Sequence, residues 1–167
     1  MNKEEFIAAA TAAARRSSAT SGFPPGVTVA QAALESGFGS SELSRVANNY
    51  FGIKVRPGGE AIELPTVEYV DGAPVHSTAR FAKYASMAEC FADRDRMIAS
   101  LAAYSEARAA ARDPEAFVHA FARHWATDPS YAEKLLEVYR GHGLDRLDQQ
   151  RAGALPLAGF AKGGGVS

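Results

Sequence analysis

Apolar residues recur at helical spacing over most of the chain and alternate with polar ones over one short stretch. Phe6, Ile7 and Ala10 fall on one face and predict a first helix over residues 3–16. The segment SATSGFPPG then reads as a loop, because Pro24 and Pro25 end what precedes them and can open the next helix. Val29, Ala30, Ala33 and Leu34 predict a second helix over 27–36, with Gly37 placed as its C-terminal cap. A short helix over 41–47 follows, and then the run NNYFGIK.

The period changes between residues 54 and 81. TVEYV and PVHSTARF flank Asp71-Gly72, a strong signal for a two-residue hairpin turn. Pro74 lacks a backbone donor, so its strand should lie at an edge. Alternation puts Thr66, Glu68 and Val70 on one face and Val67 and Tyr69 on the other. Glu63 would lie opposite Glu68 in an unbroken strand, and Pro65 argues against an unbroken one.

Helical spacing resumes after Ser86, which forms a capping box with Glu89 ahead of Phe91, Met97, Ile98 and Leu101. Asp113-Pro114 opens a helix carrying Phe117, Val118, Phe121 and Trp125, and Asp128-Pro129 repeats that signal before YAEKLLEVY. The expected fold class is mainly α (α+β): one domain over 1–147, a small β-lobe at about 54–81, and a flexible tail over 148–167.

Composition narrows the class of partner. The 167 residues suit one domain, and 47% hydrophobic against 22% charged residues describes an ordinary globular chain. A net charge of -1 leaves no basic footprint, so neither nucleic acid nor an anionic membrane is expected as partner. A single cysteine, Cys90, excludes an intrachain disulfide, and nothing near it lowers its pKa toward a nucleophile's. The four histidines show no ligand spacing, so no metal is expected. The opening MNKEEFIAAATAAARR reads as an amphipathic helix and not as an export signal, and no run approaches a membrane span.

Candidate chemistry centres on carboxylates. Glu35 ends an otherwise apolar helix in AQAALESGFG. The negative end of the helix dipole and the apolar neighbour Phe38 would both hold its proton on, as an acid for glycosidic cleavage requires. A solvated glutamate at a helix end is the alternative. Glu68 would supply a second carboxylate facing a cleft, or would simply be an exposed strand residue. Asn49 of NNYFGIK has an amide able to bond acetamido or hydroxyl groups, and Phe51 offers a ring for stacking or for the core. Tyr131 could turn its hydroxyl into the same cleft.

AQAALESGFGSSEL, NNYFGIK, TVEYVDG with ARFAKYAS, and WATDPSYAEKLL occur in that order. In these motifs the chain resembles glycoside hydrolase family 73, the glucosaminidase domain of bacterial autolysins, phage lysins and flagellar peptidoglycan hydrolases, from about residue 3 to about residue 145. The resemblance implies a lysozyme-like helical fold with a β-lobe over the substrate groove. It implies an endo-β-N-acetylglucosaminidase that cleaves the β-1,4 bond between N-acetylglucosamine and N-acetylmuramic acid. Glu35 takes the family's general-acid position, Glu68 that of a second catalytic residue and Tyr131 that of a functional tyrosine. Gln31, Phe38, Asn49 and Phe51 are the expected substrate-binding residues. Phe38 stands where many members have tryptophan, and the longer VRPGGEAIELP segment precedes Glu68. No cofactor is implied. The expected partner is the glycan strand of the cell wall, met by a monomer. A muramidase or lytic transglycosylase on the same fold, or an inactive wall-binding or phage structural module, are the alternatives.

Overall fold

Residues Pro25 to Ala33 form a run in which every residue is buried, and this run is the axis of the molecule. The computed structural model describes residues 1–150; the remainder of the expected tail, 151–167, lies outside the described residues. The central helix α2 spans Pro25–Ser36. Helix α1, Lys3–Ser21, packs on α2 and on α4, Met87–Ser100. Helix α7, Tyr131–Gly141, packs on α2 and on α6, Pro114–Trp125. Two short helices, α3 at Glu42–Ala47 and α5 at Ser105–Ala109, complete the body. Phe6, Phe91, Phe117, Phe121, Ile98 and Leu135 are fully enclosed around the axis.

Several ends depart from expectation. Helix α1 runs on to Ser21, so the predicted loop is cut to three residues. Its serines stay helical by bonding locally: Ser17 Oγ donates to the Ala14 carbonyl, and Ser18 Oγ to the Phe23 carbonyl. Gly22 then stops the helix at φ 77°, a conformation that glycine adopts without strain. Helix α2 starts at Pro25, two residues early, because Pro24 caps it and Pro25 takes the first-turn position. Asp128-Pro129 forms a turn that precedes α7 instead of its first turn; Asp128 accepts from the Ser130 amide and the Lys134 ammonium. The tail expected from 148 also begins later. Residues 145–150 are helical, and buried Asp148 accepts from the Gly26 amide and the Tyr139 hydroxyl. A Cβ at Gly26 would meet the Leu144 carbonyl oxygen at 2.2 Å, so glycine there permits the contact.

Strands β1, Ala61–Val70, and β2, Ala73–Ala82, form an antiparallel hairpin. Asp71 and Gly72 turn it with φ of 51° and 79°, as the sequence predicts. β1 is continuous through Pro65, which pairs with Thr78. In a two-stranded sheet both strands are edges, so a proline costs no ladder bond where its nitrogen faces outward. The base of the hairpin is sewn to the body by NNYFGIK. The buried Asn49 amide donates to the Ile53 and Ala82 carbonyls, and its oxygen accepts from the Phe51 and Ile53 amides. The tip projects, with Val67, Tyr69, Val70 and Val75 exposed.

Candidate active site

Glu35 lies in the last turn of α2, where the apolar axis reaches the surface. Gly37 and Phe38 both adopt left-handed φ, 57° and 55°, and their amides close the helix on the Ala33 carbonyl. This abrupt stop leaves the Glu35 side chain at the rim. Packing of α7 on α2 brings in Tyr131, the first residue of α7. Its ring is buried, and its hydroxyl donates to Glu35 Oε2 at 2.6 Å.

Two opposed influences act on Glu35. Crowding by the protein removes hydration and raises its pKa, and the Tyr131 hydrogen bond pulls it back down. The rise wins. The residue is nonetheless reachable from solvent, so it is a carboxyl in a concave wall and not a sealed one. Tyr131 is driven the other way from an acid: burial, then the charge of Glu35, pushes its phenol pKa up, so it remains a donor.

Glu68 sits on a defined face. Ile62, Leu64, Thr66, Phe81 and Ala79 are half-buried, and parity and pairing place Glu68 and Val75 on this same face. Glu63 lies on the other face, 3.9 Å from Arg80 in an exposed pair. Glu68 itself is exposed toward the tip and, among the described residues, makes no hydrogen bond or ion pair. The structure therefore joins Tyr131 directly to Glu35 and leaves Glu68 on the lobe, turned to the body's side.

The expected sugar-binding residues divide. Phe38 is half-buried at the rim, edge-on to Phe6 with ring centres 5.9 Å apart and 5.0 Å from His142. Gln31, Asn49 and Phe51 are 0%, 1% and 2% exposed, which corrects the expectation that they touch a sugar. Asn49 spends its amide on the backbone of the hairpin base, and Phe51 packs on Phe91 at 5.0 Å. They hold the walls from behind.

Sequence reasoning missed the charge behind the site. Arg94 is fully buried; its guanidinium bonds Gln31 Oε1 at 2.9 Å, Thr28 Oγ1 at 3.0 Å and Asp95 at 2.8 Å. The DRDR run reads as a solvated face, but Arg94 falls three after Phe91 and four before Ile98, on the apolar stripe. That spacing was the available signal. Cys90 is inert as expected: burial pushes its thiol up to about 12. Among the described residues there is no cluster of three or more His, Cys, Asp or Glu side chains able to hold a metal.

A helical body, a two-stranded lobe and a tyrosine-bound acid at the end of the central helix define a lysozyme-like domain. Residues 11–144 match the family model Glucosaminidase, described as mannosyl-glycoprotein endo-beta-N-acetylglucosaminidase, and the chain belongs to that family. It is 33% identical over 141 residues to the peptidoglycan hydrolase FlgJ of Vibrio parahaemolyticus, covering 81% of this chain and 46% of the relative. It is 32% identical over 130 residues to the exo-glucosaminidase LytG of Bacillus subtilis, covering 75% and 46%. The chain thus spans about half the length of these relatives. The catalytic domain of the autolysin Auto from Listeria monocytogenes superposes with a TM-score of 0.78 at 30% identity, over 87% of this chain and 86% of that one.

Proposed function

We propose that this chain is a peptidoglycan hydrolase that cleaves the β-1,4 bond between N-acetylglucosamine and N-acetylmuramic acid within glycan strands, with Glu35 as general acid. The observation that carries the reading is the Glu35 carboxyl, raised in pKa by burial and oriented by the Tyr131 hydroxyl. An acid that keeps its proton toward neutral pH can give it to the glycosidic oxygen as the C1–O bond breaks. The Tyr131 hydrogen bond then stabilises the carboxylate that remains. Water adds to C1 and loses a proton. Glu68 is the proposed base for that step, supported by its place on the lobe face turned to the body. The substrate's own acetamido group is the competing nucleophile.

Family membership and the likeness to FlgJ and LytG support the substrate class. The proposed place of action is therefore the bacterial cell wall. Among the described residues no helix is long and apolar enough to cross a membrane. One copy of the chain supplies Glu35, Tyr131 and Glu68, so the reading requires no second subunit. Glu35→Gln tests it: purified sacculi should clear with the unaltered chain and remain turbid with the variant, which keeps the native thermal transition. Near-normal clearing by the variant would remove Glu35 from the mechanism.

A further inference from the structure

Thr28, Gln31 and Glu35 form a polar stripe at helical spacing on α2, inside a helix otherwise apolar on that side. Arg94 of α4 meets the stripe at its buried end, and Tyr131 of α7 meets it at its exposed end. The chemistry of Arg94 decides how Gln31 lies. A guanidinium has only donors, so the Gln31 atom 2.9 Å from Arg94 Nε must be the amide oxygen. The amide nitrogen is therefore turned away from Arg94. It is fully buried and stops short of a full hydrogen bond, yet it acts on the Tyr131 oxygen strongly enough to oppose the rise in that phenol's proton affinity.

We propose that Gln31 and Arg94 are positioning residues for the general acid: Arg94 fixes the Gln31 amide with its N–H toward the Tyr131 oxygen, and that occupied oxygen leaves Tyr131 to give its one proton to Glu35. This rests on the reading of Glu35 as the acid. The anchor at the far end is firm. Arg94 is held by Thr28 and Asp95, and Asp95 accepts from Ser21 at 2.7 Å. The remaining guanidinium nitrogen has no hydrogen-bond partner and lies between aromatic faces, 5.8 Å from the Phe51 and 5.5 Å from the Phe121 ring centres. Such a cluster is costly to assemble inside a core, and retention of a buried cation fits a demand for orientation. A donor that itself accepts a hydrogen bond is also polarised into a better donor. Gln31 thus exchanges a role in touching sugar for one in aiming the tyrosine.

The charged and titratable groups around the acid are few. Tyr131 from α7 is the one that touches Glu35, and Arg94 from α4 acts on Tyr131. Lys3 from α1 and His142 beyond α7 lie against Phe38.

The test follows the protonation of Glu35 in the full chain by carboxyl carbon NMR, which does not depend on turnover. Gln31→Met removes the amide at similar volume. The Glu35 midpoint should move to higher pH, by less than in Tyr131→Phe, and Gln31→Met should add nothing in the Tyr131→Phe background. An unmoved midpoint, or the same displacement in both backgrounds, overturns the proposal. Should Gln31→Met not fold, Gln31→Glu keeps an acceptor for Arg94 while lacking the donor. Its displacement must then be larger with Tyr131 present than without it, and equal displacements overturn the proposal. Failure of the functional reading looks different: the unaltered chain would leave sacculi turbid whatever Glu35 titrates at.

Discussion

The Tyr131 hydroxyl and the Glu35 carboxylate, 96 positions apart in sequence, meet at 2.6 Å. The contact lowers the Glu35 pKa against a larger rise from burial, so the pair sets the pH at which the acid lets go. Tyr131→Phe removes the lowering influence. The Glu35 pKa then rises further, and the descending basic limb of the pH–rate profile moves to higher pH. The rate at the optimum should fall by roughly tenfold to a hundredfold, because the acid loses its orientation. Initial rates of sacculus clearing between pH 4 and 9 check both, and a basic limb moved to lower pH would reverse the sign of this argument.

Glu35 should also cost the fold some stability. A carboxyl with a raised folded-state pKa is favoured in its protonated form by the native state. Its stabilising influence is complete below the unfolded pKa, about 4.3 for glutamate, and is lost as pH rises through the higher folded value. Glu35→Gln keeps an acceptor for Tyr131 without the charge. Its thermal midpoint should match or slightly exceed that of the unaltered chain at pH 7, and the advantage should vanish below about pH 4. A clear loss of thermal stability at pH 7 would mean that the charge is welcome in the fold.

Glu63 and Glu68 are separable by face. Glu68 shares its face with half-buried Ile62 and Leu64, whereas Glu63 pairs with Arg80 on the other. Glu68→Gln should reduce kcat/KM by about tenfold or more if it acts on water, and Glu63→Gln should leave it within about twofold. Turbidity kinetics on the two variants check this. The reverse ranking would transfer the role to Glu63.

Asp93 holds the hairpin base to α4. It accepts from Arg56 and from the Tyr84 hydroxyl, each at 2.6 Å. Burial pushes its carboxyl up, and these hydrogen bonds together with the arginine charges outweigh burial, so its pKa is lowered. Its contribution is present above the unfolded pKa of about 3.9 and is lost as pH falls through the lower folded value. Asp93→Asn should destabilise the chain by about 1–3 kcal/mol at pH 7, with the difference shrinking in acid. Thermal unfolding at pH 7 and pH 3 measures it, and an equal difference at both would exclude the charge as the cause.

What the sequence made legible follows from how local each signal is. Asp71-Gly72 needs only its own backbone to specify a turn, and Gly37 only its own φ to end α2. Glu35 and Tyr131 lie in short motifs, so each was visible alone, but the 2.6 Å contact depends on α7 packing against α2. Burial of Gln31, Asn49 and Arg94 was harder to see, because polar residues are usually outside and their partners here come from distant segments. The extension of α1 turned on serines that bond within the helix, and the late start of the tail on Asp148 reaching Gly26. Both are tertiary or side-chain choices that periodicity does not record.

The central claim concerns one bond, and the soluble fragments released from purified sacculi report it most directly. Mass spectrometry after borohydride reduction should show muropeptides with new reduced N-acetylglucosamine ends, released by the unaltered chain and absent with Glu35→Gln. Reduced N-acetylmuramic acid ends, anhydro-muramic products or no released fragments at all would contradict the account.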